Sequence, residues 1–377
     1  MKSLIKEALA RAEVRATPTP TPTPEGSDIV METQEDKELE EVLKSLKTNI
    51  KIVGCGGAGS NTISRIMEEG IYGTVELIAA NTDAQHLLIT HAHRKVLLGK
   101  RITRGLGAGA LPQIGEEAAR EAEDRIREVL QGADMVFITC GLGGGTGTGS
   151  APVVAQIAKE LGALTIAICT LPFTAEGRAR YENATWGLEK LRDVADTVIT
   201  IPNDKLLELV PRLPLAQAFK VADEVLMRAI KGLTEMITKP GLVNLDFNDL
   251  KTIMKGGGVA MIGLGESEGA GEERALEALE DAINSPLLEV DISTATGVLV
   301  NVVGSPDMTI SEAERAVEEL HKKVAKNARI IWGCAIDPTY DRRISVLVVA
   351  TGVRSKQILG RLSEEELKAQ YGVDVIR

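Results

Sequence analysis

Short apolar runs alternate with segments of helical spacing along most of this chain, and the alternation limits the folds open to it. The runs lack the polar–apolar alternation of a half-exposed strand; they lie at 50–54, 75–83, 95–99, 133–141, 163–172 and 196–203. Between them, helices are predicted at 60–70, 114–132, 150–162 and 181–195. Apolar strands joined by helices are typical of a parallel sheet that is covered on both faces. The pattern therefore predicts an α/β fold.

One long helix is predicted to follow the parallel sheet. Apolar residues at helical spacing mark its buried stripe: Leu215, Phe219, Ala222, Leu226, Ala229, Ile230, Leu233 and Ile237. Pro240 and Gly241 end the helix. Beyond it, apolar runs at 258–265, 296–304, 328–336 and 344–351 alternate with helical segments at 270–284 and 311–326. This part of the chain predicts a second, smaller α/β domain.

The first residues are predicted to lie outside the folded body. Residues 17–24 repeat Thr-Pro, which excludes a helix or a central strand and favours an extended spacer. The expected organisation is an N-terminal extension at 1–48, a parallel-sheet domain at 49–214, the central helix at 215–239, a C-terminal domain at 240–355 and a short tail at 356–377.

Composition argues against several classes of protein. The 377 residues carry 43 basic and 54 acidic side chains, a net charge of −11, which argues against nucleic acid as the main partner. No apolar stretch reaches the ~18–20 residues of a membrane span. Four widely spaced cysteines lie in or beside apolar runs and indicate buried, reduced thiols. The four histidines show no convincing metal-site spacing, so no protein ligand for a metal is predicted.

A glycine-rich segment stands at the first junction of strand and helix. Residues 54–59 read Gly-Cys-Gly-Gly-Ala-Gly and match the G-x-G-x-x-G pattern. Glycine lets the backbone approach a phosphate, and the N-terminus of a helix supplies N–H groups and the positive end of its dipole. The segment alone fits a nucleotide site in general. It fits equally a dinucleotide-binding domain in which Glu76 would hold a ribose.

A second glycine cluster separates these interpretations. Residues 143–150 read Gly-Gly-Gly-Thr-Gly-Thr-Gly-Ser, follow the apolar run at 133–141 and open the next helix. Their five glycines and three hydroxyl groups form a wide anion-binding nest. A dinucleotide domain has no use for a second phosphate loop at this point. The G-x-x-x-x-G-K-[ST] sequence of P-loop proteins does not occur, so that class is excluded.

The second cluster resembles the signature loop of the tubulin/FtsZ superfamily, and residues 48–355 resemble the prokaryotic cell-division GTPases of that superfamily. The resemblance implies a tubulin/FtsZ-like fold, binding of GTP and GDP, hydrolysis of GTP, and head-to-tail filaments. Residues 49–214 would bind the nucleotide, and the domain at 240–355 would activate its hydrolysis. The long N-terminal extension and short C-terminal tail resemble the archaeal branch.

The resemblance assigns phosphate binding to the two glycine loops. The matching residues are Gly57, Ala58, Gly59, Ser60 and Asn61 in the first loop, and Gly145, Thr146 and Gly147 in the signature loop. Residues 81–83 match a further loop at the site, and residues 104–109 match one that senses the γ-phosphate. The superfamily usually has Gly and Asn where this chain has Ala58 and Ser60. The methyl group of Ala58 would crowd a phosphate slightly, while the backbone N–H contacts would survive.

Other matches lie at the sugar and the base. Glu176 would accept hydrogen bonds from ribose, and Arg180 would pair with a phosphate or with Glu176. Asn203 matches the residue that reads the guanine edge. Phe219 would stack on the base, and Asp223, four residues further on, would accept from two guanine N–H donors, which favours guanine over adenine. From the residues alone, a surface ion pair at 176 and 180 and core packing of Phe219 stay open.

An acidic motif follows the long helix. Asn244, Asp246 and Asp249 can orient an attacking water, although a solvated acidic turn would have the same composition. Asp223 precedes Pro240 by 17 residues, and at about 1.5 Å per residue this is roughly 25 Å of helix. The motif is therefore not expected to reach the phosphates bound by its own chain. A catalytic role would require a neighbouring subunit, and head-to-tail stacking builds open filaments.

Several partners are expected from the same reasoning. Magnesium is expected with the nucleotide because it neutralises charge between the β- and γ-phosphates. The chain itself is the expected polymer partner, in the cytoplasm at the mid-cell division site. Residues 1–16 form a basic amphipathic segment that would dock a division-ring adaptor protein or a membrane surface. Two alternatives stay open: a dinucleotide-dependent oxidoreductase, and a structural relative of the superfamily that does not hydrolyse GTP.

Overall fold

The structure is a computed structural model that describes residues 48–209, 214–239, 241–243, 245–269, 273–288 and 291–353. The predicted extension at 1–48, except for its last residue, and the predicted tail at 356–377 lie outside the described residues. Asn244 of the acidic motif lies outside them as well.

The strands of the described residues form one mixed sheet. In chain order they are β1 (Ile50–Cys55), β2 (Val75–Asn81), β3 (Arg94–Leu97), β4 (Met135–Gly141), β5 (Leu164–Leu171), β6 (Thr197–Pro202), β7 (Gly258–Ser267), β8 (Gly297–Gly304), β9 (Arg329–Ile336) and β10 (Ile344–Thr351). Their order in the sheet is β3-β2-β1-β4-β5-β6-β7-β10-β8-β9. Strands β1 to β6 pair in parallel, as predicted, whereas β10 runs antiparallel to both of its neighbours.

Helices connect these strands. They are α1 (Gly56–Glu69), α2 (Ala84–Ile89), α3 (Pro112–Glu121), α4 (Glu123–Leu130), α5 (Thr146–Glu160), α6 (Arg178–Val194), α7 (Asn203–Leu209), α8 (Leu215–Thr238), α9 (Phe247–Met254), α10 (Arg274–Ile283) and α11 (Ile310–Lys323). Short 3₁₀ turns lie at Thr174–Glu176 and Ile292–Thr294. The helix predicted to follow the parallel sheet is α8.

Two hydrophobic cores lie on opposite faces of the sheet. Alternate residues of a strand point to opposite faces, so Ile52 enters one core and Val53 the other. The core around Ile52 also contains apolar residues of α1, α8 and α9. The core around Val53 contains those of α3 to α6, α10 and α11. The prediction of a sheet covered on both faces is confirmed.

Four segments differ from the helix predictions. Helices α1 and α5 begin at Gly56 and Thr146, four residues before the predicted starts, because the glycine loops themselves form the first turns. The helix predicted at 114–132 is two helices, α3 and α4, with a break at Ala122 (φ −97°, ψ 13°). The acidic motif, for which no helix was predicted, contains the start of α9, whose first residue is Phe247.

The C-terminal strands continue the N-terminal sheet. Strand β7 pairs in parallel with β6 over three residues, from Thr197 opposite Gly258 to Ile199 opposite Ala260. The predicted second domain therefore continues the sheet of the first, and its own strands are mixed in direction. The domain boundaries at 214–215 and 239–240 stay predictions.

The four cysteines are free and buried, as predicted. Cys55, Cys140 and Cys169 lie side by side on β1, β4 and β5. Burial raises the pKa of the Cys55 and Cys169 thiols to about 12. These thiols therefore stay protonated at neutral pH and serve packing. No helix within the described ranges is both long and apolar enough to cross a membrane.

Candidate nucleotide site

The two glycine loops meet at the carboxyl edge of the parallel sheet. Strands β1 and β4 are neighbours, and α1 and α5 begin just beyond their ends. Gly56 has a φ of +72°, and a Cβ atom there would lie 2.7 Å from the backbone nitrogen of Gly147. Only glycine allows this conformation and this approach. The N-termini of two helices are thereby directed to one place, which suits an anion.

The other predicted phosphate-side segments join the same edge. The Oγ1 atoms of Thr82 and Thr146 are 2.6 Å apart, and the backbone N–H of Gly107 donates to the Thr82 carbonyl. A Cβ atom at Gly145 would lie 2.8 Å from the backbone nitrogen of Leu111. Residues 54–59, 81–83, 104–109 and 143–150 therefore form one surface.

Two residues of the first loop differ from the usual pattern of the superfamily. The Ala58 methyl group lies beside Gly141 at the end of β4, where a Cβ atom would come within 2.9 Å of it. The Ser60 hydroxyl is buried and makes no hydrogen bond with any described residue. Gly57 and Asn61 are exposed, whereas Gly59 is buried.

The sugar-edge residues form a local ion pair. Glu176 Oε1 accepts a hydrogen bond from the backbone N–H of Phe173 at 2.9 Å, which fixes the 3₁₀ turn. Its other oxygen, Oε2, lies 3.3 Å from Nη1 of Arg180. Of the two partners predicted for Arg180, the structure therefore places Glu176 beside it. The backbone of Arg180 lies against Gly143, so this turn adjoins the signature loop.

The predicted base-binding residues sit where β5, β6 and α8 meet. Asn203 follows β6 directly and is 4% exposed, yet its Oδ1 has no hydrogen-bond partner among the described residues. The Phe219 ring is 40% exposed and meets Phe173 edge-on, with 5.1 Å between ring centroids. The prediction that Phe219 belongs to the buried stripe of α8 is therefore wrong: Ala218 and Ala222 beside it are buried, whereas the larger Phe219 side chain stays 40% exposed. An exposed ring is available for stacking on a base.

Asp223 has an unusual electrostatic environment. Its carboxyl forms no hydrogen bond with any described residue, and burial raises its pKa to about 6, although the Arg65 guanidinium opposes the rise. Arg65 is itself paired with Glu224, at 3.1 Å between Nη1 and Oε2. A partly desolvated carboxylate with unused lone pairs suits a ligand that offers N–H donors.

The acidic motif lies at the other end of α8. Near its start, α8 carries Phe219 against Phe173, just beyond the carboxyl end of β5. Near its end, Thr238 Oγ1 donates to the carbonyl of Tyr72, which precedes β2 at the amino edge of the sheet. Asp246 and Asp249 follow shortly after this end and are exposed. The structure therefore does not bring them together with the phosphate loops of the same chain.

The two carboxylates of the motif are held differently. Asp246 is the N-cap of α9, and its Oδ1 accepts from the backbone N–H of Asn248 at 3.2 Å. Asp249 lies in the first turn of α9, and its carboxylate makes no hydrogen bond or ion pair with a described residue. Asp249 is thus free to act on a group outside its own chain.

The sequence-based prediction missed two side chains beside the site. His86 forms hydrogen bonds with Asn61 and Asn81, and Arg65 stands near Asp223. The position of Asp83 directly before α2 was a usable signal, because an aspartate there caps a helix and fixes the position of His86 three residues later. No sequence pattern indicates the approach of Arg65.

Glu76 is not available as a ribose-binding residue. It forms ion pairs with Lys51 at 3.0 Å and with Arg94 at 2.6 Å, near the amino end of β2. It therefore lies at the sheet edge opposite the glycine loops, which contradicts the dinucleotide-binding interpretation.

The site offers no protein cage for a metal ion. No group of three His, Cys, Asp or Glu side chains comes together among the described residues. Near the phosphate loops, backbone N–H groups suit phosphate oxygens only. Hydroxyl and side-chain amide oxygens there would accept hydrogen bonds from the water ligands of a magnesium ion that arrives with the phosphates.

Comparisons with known proteins identify the chain. Residues 49–211 match the model of the GTPase domain of the tubulin/FtsZ family, and residues 258–354 match that of the C-terminal domain of the FtsZ family. The cell division protein FtsZ 1 of Archaeoglobus fulgidus is 59% identical over 377 residues, all of both chains. The chain belongs to the FtsZ family. The corresponding protein of Halobacterium salinarum is 56% identical over 96% of this chain and 91% of its own.

A solved structure of this family agrees with the fold. The empty FtsZ dimer of M. jannaschii superposes with a TM-score of 0.81 at 56% identity, covering 85% of this chain and 92% of that one. The predicted tubulin/FtsZ-like fold is confirmed, and so is the prediction of a GTPase. The phosphate loops described above all lie within the matched GTPase domain, which therefore binds GTP and GDP.

Proposed function

We propose that this FtsZ-family GTPase polymerises head to tail and that its active site is completed between two subunits. The observation that carries the proposal is the placement of the two halves of the site at opposite ends of α8. The nucleotide half lies at the carboxyl edge of the sheet, and Asp246 and Asp249 follow the end of α8 that contacts the amino edge. One chain alone cannot bring both halves to one nucleotide.

The nucleotide half binds and orients GTP. Backbone N–H groups at the starts of α1 and α5 contact the phosphates through Gly57, Ala58, Gly59, Ser60 and Asn61 and through Gly145, Thr146 and Gly147. Glu176 accepts hydrogen bonds from ribose hydroxyls, while Arg180 forms an ion pair with the Oε2 atom of Glu176. A magnesium ion bound with the nucleotide would neutralise part of the phosphate charge.

Guanine is selected at the far end of the pocket. Phe219 stacks on the base with its exposed ring face, and the buried Oδ1 of Asn203 gains the partner that it lacks in the protein. Asp223 accepts from the ring N–H and the amino group of guanine. Adenine lacks these two donors at the corresponding positions and would leave the Asp223 carboxylate unpaired.

Hydrolysis uses the neighbouring subunit. The start of α9 in one subunit faces the γ-phosphate in the next. Asp249 orients the attacking water, together with Asp246 and Asn244 of the same sequence motif. Contacts of this heterologous kind repeat without closing and build a filament. The M. jannaschii relative, solved as a dimer, supports self-association.

The biological role proposed is cell division, as in the named relatives. The filament would form a ring at the division site in the cytoplasm. Residues 1–16 would connect it, through the Thr-Pro spacer, to an adaptor protein or a membrane surface. Unchanged recruitment to membranes or partners after deletion of residues 1–24 would refute this tether.

Sedimentation of the full chain with GTP, GDP or ATP tests the proposal. Magnesium and GTP are expected to give pelletable filaments one subunit wide by electron microscopy, which disappear as GTP is consumed. GDP and ATP are expected to leave the protein in the supernatant. Equal assembly with ATP, or filaments that persist after all GTP is hydrolysed, would contradict the coupling of assembly to the guanine nucleotide.

A further inference from the structure

His86 occupies the space between the first glycine loop and the end of β2. It lies in the short helix α2, which Asp83 caps by accepting from the backbone N–H of His86 at 3.0 Å. Ring atoms of His86 are the nearest heavy atoms to a Cβ built at Gly57, at 3.8 Å. The imidazole therefore packs against the first glycine loop.

Both ring nitrogens of His86 form hydrogen bonds with asparagine side chains. Nδ1 is 3.1 Å from Asn81 Nδ2, and Nε2 is 3.0 Å from Asn61 Oδ1. The Asn81 amide has a fixed orientation, because its Oδ1 accepts from the backbone N–H of Asp83 at 3.2 Å. Its Nδ2 must then donate to His86, which makes Nδ1 an acceptor and leaves the proton on Nε2.

This tautomer sets the orientation of Asn61. The Nε2–H group of His86 donates to Oδ1 of Asn61, so the amide keeps its oxygen toward the imidazole. The Nδ2 group of Asn61 makes no hydrogen bond with any described residue. It is left as a free donor beside the phosphate loop. A flipped amide would present an oxygen to the anion instead of a donor, which is repulsive.

We propose that His86 is a positioning residue that holds the Asn61 amide with its N–H donors toward the nucleotide phosphates. The inference rests on the proposed nucleotide site, and it adds a residue to which neither the motifs nor the comparisons assign a role. A neutral imidazole combines one acceptor and one donor, as a Gln amide does. His86→Gln should therefore preserve both contacts, and His86→Ala removes both.

Calorimetric titration of the nucleotide-free full chain with GDP tests the proposal without assembly. His86→Ala is expected to weaken GDP binding about tenfold, because a phosphate loses a correctly directed donor. His86→Gln is expected to bind within about threefold of the wild type. The double variant Asn61→Ala/His86→Ala should bind no more weakly than Asn61→Ala alone, since His86 acts only through Asn61.

His91→Ala is the control, because this exposed histidine also lies near α2 but its side chain contacts Glu68, at 3.5 Å, and not the loop. It should bind GDP like the wild type, and thermal melts of all variants report folding. Wild-type affinity in His86→Ala would overturn the role of His86, as would failure of His86→Gln to rescue or losses that multiply in the double variant. Absence of GDP binding by the wild type would instead overturn the proposed nucleotide site.

Discussion

At the scale of single residues, the proposed base-binding end of the site contains two polar groups without hydrogen-bond partners among the described residues. Asn203 buries an oxygen without a partner, and Asp223 keeps a desolvated carboxyl without a hydrogen bond. Such groups lower the stability of the empty protein, and a ligand with matching donors recovers the cost. Their identities were predicted from the sequence by resemblance. Their desolvation could not be, because it depends on the packing of α8 against the sheet.

Replacing Asp223 by Asn is expected to stabilise the nucleotide-free protein and to weaken GTP binding. The pKa of this carboxyl is about 6 in the fold against an ordinary value of 3.8. Above pH 6, keeping it ionised therefore costs about 3 kcal/mol of unfolding free energy. The stability advantage of Asp223→Asn should shrink as the pH falls from about 6 to about 4, since the wild-type carboxyl then becomes protonated. Thermal melts between pH 4 and pH 8 check this.

Nucleotide binding by Asp223→Asn gives a second test. Calorimetry should show GTP affinity reduced at least tenfold, with most of the preference for GTP over ATP lost. Equal melting temperatures of variant and wild type at pH 8 would contradict the desolvation of Asp223. An unchanged preference for GTP would remove Asp223 from base recognition.

Adjacent glycines of the signature loop should respond differently to a methyl group. A Cβ atom at Gly144 has no heavy atom within 4 Å, whereas one at Gly145 lies 2.8 Å from the Leu111 nitrogen. Gly144→Ala should leave the unfolding free energy unchanged. Gly145→Ala should lower it by about 1–3 kcal/mol in denaturant titrations. Equal losses in both variants would contradict the packing of residues 104–111 on this loop.

At the scale of elements, apolar periodicity predicted the strands and α8 closely, because both bury regular stripes. Apolar periodicity did not predict helix starts and breaks that depend on backbone packing or capping. Glycine is a poor helix former, so the glycine loops were not predicted to form the first turns of α1 and α5. Glycine is present there because the two loops pack too closely for a Cβ atom. The break at Ala122 has no Gly or Pro signal. No helix was predicted at the start of α9, although Asp246 is a typical N-cap residue.

Variants of the two carboxylates at the start of α9 should differ in stability but not in their loss of activity. Asp246→Ala removes a helix cap and should lower the unfolding free energy by about 1 kcal/mol. Asp249→Ala removes no hydrogen bond and should cost about 0.5 kcal/mol or less. Both should abolish most GTP turnover, whereas Asn248→Ala, at an exposed neighbouring position, should retain it. A large stability loss in Asp249→Ala would indicate a structural role for this carboxylate.

At the scale of the whole molecule, the two ends of α8 carry different functional groups. This helix has 24 residues, about 36 Å at 1.5 Å per residue, and it separates the proposed base-binding residues from the acidic motif. Helix length predicted this separation once the resemblance had assigned Asp223 to the base. The sequence was not sufficient to predict that β7 extends the N-terminal sheet, because strand pairing between distant segments leaves no local signal. The shared sheet makes both ends parts of one body.

The rate of GTP hydrolysis per subunit, measured against protein concentration, tests completion of the active site between subunits most directly. The wild type should show almost no turnover below a threshold concentration and a steep rise above it. Asp249→Ala should bind GTP normally and stay nearly inactive at every concentration. A rate per subunit that is constant from the lowest concentration, and the same in Asp249→Ala, would contradict the account.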